Sequence, residues 1–184
     1  MSMVDYDRIN ELRKTYLCYL LEYTRVRDPH LNVFRTFVDN WFAYYMGDPF
    51  LKSSLVARWF NKGDLNKKSE AITKFHIHSV RAWQVINGLA EPEDLIKDHC
   101  IPLSVIRGRL FDVSPTTIGE LETFLIEHYK IGLITQKENA ELNSLKLQST
   151  LPPGVPYTPE ARYQHAKIAL HASESEPVEP MRLG

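Results

Sequence analysis

Apolar positions recur along the first 90 residues at three- and four-residue steps, the spacing of one helical face. Tyr6, Ile9, Leu12, Tyr16, Leu17, Leu20 and Tyr23 form the first set, and Asp28-Pro29 breaks it. Leu31, Phe34, Phe37, Val38, Trp41, Phe42 and Tyr45 form the second, closed by Gly47-Asp48-Pro49. Leu55, Val56, Trp59 and Phe60 predict a short third helix, ended by Asn61-Lys62-Gly63. A fourth is predicted from Ser69, carrying Ile72, Phe75, Val80, Trp83 and Ile86, with Gly88 placed to end it. All three tryptophans fall in this half, which is expected to hold the larger core.

The pattern changes near residue 91. Ala90-Glu91-Pro92-Glu93-Asp94 reads as a helix start, with proline early and acids at the positive end of the dipole. Leu95 to Ile101 fits a short helix or a strand. Pro102 restarts the chain, and Val105, Ile106 and Leu110 predict a helix. Ser114-Pro115 has the form of an N-cap and first-turn proline ahead of the stripe Ile118, Leu121, Phe124, Leu125. Lys130 to Thr135 is the best strand candidate. Thr135 and Glu138 have capping-box spacing, which predicts a helix from Gln136 to Leu147. Pro152 to Pro156 reads as a stiff linker, Thr158-Pro159-Glu160 as the opening of a last helix toward His171, and Ser173 to Gly184 as a frayed acidic tail. The expected fold is mainly α, with a helical domain over 1–90. A small α+β element, two-stranded and ββα-like, follows over 91–150. A proline-rich linker, short helix and acidic tail complete the chain over 151–184.

Composition narrows the class. The chain has 184 residues, 43% of them apolar, and a formal net charge of −1. That suits one or two small globular domains and excludes disorder throughout. No run approaches the roughly 18 apolar residues that span a bilayer. Met1 to Asp5 turns acidic at once, without the apolar core of a signal peptide. Cys18 and Cys100 are too few for a disulfide scaffold and lack metal-ligand spacing. The expectation is a soluble, cytoplasmic protein in a reducing compartment, with no membrane partner.

Candidate chemistry concentrates in Lys97-Asp98-His99-Cys100-Ile101-Pro102-Leu103-Ser104. This segment resembles the opening motif of HNH-type (ββα-metal) nucleases, Asp/Glu-His-x-x-Pro, often followed by Leu-Ser. The resemblance covers about 50 residues and implies a bacterial or phage enzyme that hydrolyses phosphodiester bonds in DNA or RNA. It implies Asp98 as a metal ligand and His99 as the general base on the attacking water. A second strand and a helix would follow, and the helix would supply the last ligand. Residues 131 to 134 and the capped helix after Thr135 could be those elements, with Asn139 or Asn143, four residues apart on one face, as the ligand. A carboxylate and an amide oxygen suit magnesium or manganese better than zinc. A neutral histidine accepts a proton from water near physiological pH. Arg107 or Arg109 could contact phosphate oxygens. The sequence departs from the family pattern: no Gly-Gly follows Ser104, the middle Asn is not evident, and a whole predicted helix separates the two strands.

Other features are weaker. His76 and His78 share a face only in a strand; in the helix predicted there they diverge by about 200°. Convergence of both with His99 on a metal is a further expectation. Residues 52 to 81 hold Lys52, Arg58, Lys62, Lys67, Lys68, Lys74 and Arg81 against Asp64 and Glu70, a local balance of +5 that could meet nucleic-acid phosphates. Cys100 beside His99 is not a nucleophile–base couple, because neighbours in a strand point to opposite faces. Neither a Gly-x-Ser-x-Gly elbow nor a phosphate-binding glycine loop occurs. Two classes remain. One is an HNH-like nuclease needing Mg or Mn. The other is a non-catalytic helical interaction protein with a protein partner (an inhibitor, immunity protein or mobile-element regulator), including an inert HNH descendant.

Overall fold

A computed structural model describes residues 6–47 and 75–171. The chain opens with α1 (Tyr6–Val26) and α2 (Leu31–Tyr45), as the apolar spacing predicts. Ring contacts between Tyr16 and Tyr44, Tyr19 and Phe37, and Tyr23 and Phe34 run in opposite order along the two helices, so the pair is antiparallel. The predicted third helix lies outside the described residues.

Residues 75–171 build β1 (Ile77–His78), α3 (Val80–Ile86), β2 (Leu95–His99), α4 (Leu103–Val113), α5 (Ile118–His128), β3 (Ile131–Thr135), α6 (Gln136–Ser144) and α7 (Ala161–His165). The fold is mainly α with a small α+β element. Among the described residues the sheet has three strands, in the order β1-β3-β2, one more than the two-stranded ββα-like element expected from the sequence. β2 and β3 are antiparallel, from Leu95 opposite Thr135 to His99 opposite Ile131, and β1 lies parallel to β3.

β1 interrupts the helix predicted from Ser69 through Ile86: its stretch 69–74 lies outside the described residues, and 80–86 is helical. Phe75, Val80, Trp83 and Ile86 read as one helical set, yet the backbone over 76–79 is spent on β3: His76 N–H donates to the Ile131 carbonyl, and Ser79 N–H to that of Leu133. The helix starts only after Ser79, whose hydroxyl caps it by accepting from Ala82 N–H. A second correction concerns Ser114. It is the left-handed C-cap of α4 (φ 48°), and the N-cap of α5 is Thr117, in a reciprocal capping box with Glu120. Residues 90–94 lead into a strand rather than a helix, and the last helix ends at His165, well short of His171. The Thr135–Glu138 capping box forms as its spacing predicts.

Strand alternation sorts β2 and β3 between two layers. Leu95, Ile131 and Leu133 face α1, α2, α4 and α5 and join Leu17, Leu20, Phe34, Trp41 and Tyr129 in the larger core. Ile134 faces the other way, with Ile77, Cys100, Leu142 of α6 and Tyr163 of α7, in a second core. Beyond α7 the chain returns to the sheet: Val80 N–H donates to the Ala169 carbonyl, His171 N–H to that of His78, and the His171 ring stacks on Trp83 at 4.4 Å. Among the described residues, no helix is long and apolar enough to cross a membrane.

Gly132 marks where the second layer presses on the sheet. A Cβ there would stand 2.9 Å from the Tyr163 hydroxyl oxygen and 3.3 Å from Cys100 Sγ. Gly132→Ala is therefore expected to destabilise the fold by about 1–3 kcal/mol, read as a lower midpoint in chemical denaturation.

Candidate functional site

β2 is an edge strand with Leu95 buried, Ile96 to His99 half-buried and polar residues at its centre, and the alternation of its side chains decides what each can do. Lys97 and His99 project toward α2. Asp98, between them, projects toward α7. The Asp98-His99 pair of the sequence is thus split between opposite faces of the sheet.

On the α2 face the polar groups meet at Asp39. Its Oδ1 accepts from Lys97 Nζ at 3.2 Å, from the Tyr129 hydroxyl in a short contact, and lies 2.9 Å from His99 Nε2. Asp39 and Lys97 are buried, whereas the His99 side chain keeps 16% of its surface exposed. The His99 ring meets Tyr129 edge-on at 5.5 Å. Burial alone would push the Asp39 carboxyl up. The hydrogen bond and charge of His99, the charge of Lys97 and the Tyr129 hydroxyl outweigh it and hold the carboxyl well below the usual carboxylate range. Burial lowers the Lys97 ammonium, opposed by Asp39, and raises the Tyr129 phenol far above its ordinary value. Arg35, exposed and one turn before Asp39 on α2, is close enough for its charge to act on both Lys97 and Tyr129.

On the α7 face the buried Arg162 guanidinium donates to Asp98 Oδ2 and to the backbone carbonyls of His99, Cys100 and Leu147. The Tyr163 hydroxyl donates to the same Asp98 oxygen at 2.7 Å. Asp98 is thereby committed to neighbours inside the fold. A metal at this carboxylate would have to displace a guanidinium whose side chain is 1% exposed. Asn143 is exposed on α6 and Asn139 half-buried. Among the described residues no three His, Cys, Asp or Glu side chains are grouped to hold a metal ion. The residues present do not fit the magnesium or manganese site that the motif implies.

The remaining sequence candidates scatter. His76 lies against Phe42, ring centroids 5.7 Å apart, and its Nδ1 accepts from Ile131 N–H at 3.1 Å. Burial and the charge of Lys130 push His76 down to about 4. His78 is buried beside the Phe75 ring at 6.3 Å. Arg81 pairs with Glu93 at 3.3 Å. Arg107 donates to the Pro29 carbonyl, just before α2, on the order of 12 Å along the helix axis from Asp39. Arg109 lies over the Tyr157 ring at 4.3 Å. Lys52, Arg58, Lys62, Lys67, Lys68 and Lys74 lie outside the described residues. Cys100 is fully buried and pushed up to about 12 by burial first and the Asp98 charge second, which excludes it as a nucleophile.

Asp39, Tyr129, Lys97 and Arg162 were not singled out by sequence. Asp39 had a faint signal: it is the only charged residue between Arg35 and Gly47, inside an otherwise apolar and aromatic run. Comparison with protein-family models, curated proteins and solved structures finds no match to this chain.

Two outcomes follow. Asp39→Ala removes the acceptor shared by Lys97, His99 and Tyr129 and is expected to cost about 3–5 kcal/mol, measured by denaturant titration at pH 7. The carboxyl is held below its unfolded value, so its contribution is complete above about pH 4 and is lost as the pH falls further. His76 acts in a higher window. Its unfolded form takes a proton near 6.5 and its folded form near 4, so stability falls as the pH drops between those values. His76→Gln should flatten that part of the stability-versus-pH curve.

Proposed function

We propose that the protein is a nucleic-acid hydrolase on an HNH-like framework, with His99 as general base on the water that attacks a DNA or RNA phosphodiester. One observation carries this reading: a partly exposed histidine, paired at 2.9 Å with a buried carboxylate, ends β2. β2 pairs antiparallel with β3 and α6 follows at once, the strand–strand–helix order of the resemblance, although α4 and α5 intervene between the strands. Water loses a proton to His99 as its oxygen bonds to phosphorus, the P–O bond to the leaving group breaks, and solvent protonates the leaving oxygen. Among the described residues Arg35, exposed and close enough for its charge to act on Lys97 and Tyr129, is a cation that could meet the phosphate. Asp98 serves the fold, and no metal step is assigned to it or to Asn139 and Asn143.

A second reading has its own observation. The commitment of Asp98 to Arg162 and Tyr163 is what an inert descendant would show, and it favours a non-catalytic interaction protein with a nucleic-acid or protein partner.

Plasmid DNA and RNA incubated with the protein in Mg²⁺, Mn²⁺ or chelator separate the two. The hydrolase reading expects cleavage that His99→Ala removes while circular dichroism stays native. Absence of cleavage by the folded wild type under every condition would sink it and leave the interaction reading.

A further inference from the structure

We propose that Asp39 is the positioning residue of His99, holding its neutral ring as the Nε2–H tautomer so that Nδ1 is the basic nitrogen presented outward. The chemical use of Nδ1 rests on the hydrolase reading above, whereas the hold of Asp39 on the ring does not.

The argument is one of donors and acceptors. An ionised carboxylate only accepts hydrogen bonds. Asp39 Oδ1 receives the Lys97 ammonium and the Tyr129 hydroxyl, both groups that donate, and the Lys97 charge beside it favours the ionised form. The third neighbour at this oxygen, His99 Nε2 at 2.9 Å, must therefore donate as well. A neutral imidazole carries one proton, so with Nε2 protonated the lone pair lies on Nδ1. Among the described residues Nδ1 has no hydrogen-bond partner, and the side chain keeps 16% of its surface open. The edge-on contact with Tyr129 at 5.5 Å restricts rotation of the ring. In HNH-type chemistry the sequence motif names the histidine but says nothing of which nitrogen reacts. Here the fold decides it, through a residue 60 positions away in the chain.

Two substitutions test the geometry without any activity measurement. The side-chain amide of glutamine reaches about as far as Nε2, and that of asparagine about as far as Nδ1. His99→Gln keeps a donor for Asp39 and is expected to melt within about 2 °C of the wild type, whereas His99→Asn loses it and should melt lower by about 3–8 °C. Both lack the base and should cleave no substrate. Ring ¹⁵N spectra of the wild type at pH 8 should show Nε2 protonated and Nδ1 with a lone pair, and Asp39→Asn should turn this fixed pattern into a tautomer mixture. A wild-type ring protonated on Nδ1, or a His99→Asn variant more stable than His99→Gln, overturns the proposal. If Asp39→Asn does not fold, the Gln/Asn comparison decides alone. A fixed Nε2–H tautomer with no cleavage by the wild type upholds Asp39 and fails the hydrolase reading instead.

Discussion

The carboxylate of Asp39 is the contact on which the arrangement of α2 against the sheet depends. An unpaired carboxylate in a protein interior is costly enough that the chain would neutralise or expose it. Here it stays charged because β2 delivers Lys97 and His99, and the residue after α5 delivers Tyr129, to one oxygen. The three partners come from two elements, so the helix cannot slide along the sheet without breaking several contacts at once. Apolar packing around Trp41, Phe42 and Tyr129 supplies the driving force, and the carboxylate supplies the register.

The opposite face repeats the arrangement with the signs exchanged in position. There the strand contributes the acid, Asp98, and the covering helix α7 contributes the cation, Arg162. The guanidinium also satisfies three backbone carbonyls, which a lysine's ammonium could not do in the same planar geometry. β2 is therefore polar at its centre, lies between two layers, and is matched on each side by a group from another element. This is the physical reason that an Asp and a His adjacent in sequence do not share a cleft. In an extended chain, neighbours face opposite ways, and here each has found its own partner.

What His99 retains from this is access. Lys97, Tyr129 and Asp39 are enclosed, and the histidine alone of the four keeps an appreciable exposed edge. A buried carboxylate holding a partly open imidazole is a pairing suited to acid–base chemistry, and it sits where the motif placed the base. The same carboxylate burial would equally serve a scaffold whose surface, and not its chemistry, carries the function.

Much of the architecture was legible from local rules. The helical spacing of α1 and α2, the break at Asp28-Pro29, the strand at 131–135 and the Thr135–Glu138 capping box all depend on interactions within a few residues, and the sequence states those directly. The strand at 77–78 was not legible, because Phe75, Val80, Trp83 and Ile86 carry helical spacing and only the pairing with β3 draws the backbone out of it. The motif pointed to His99 but not to Asp39, and it assigned Asp98 to a metal rather than to Arg162. Those assignments turn on contacts across 60 and 64 residues, which exist only once the layers pack. By itself the sequence determined the helices and the strand whose signals are local, and where a titratable pair lies. The tertiary structure decided which partner each polar side chain meets, since burial, and the need to satisfy a buried charge, act only between elements already brought together.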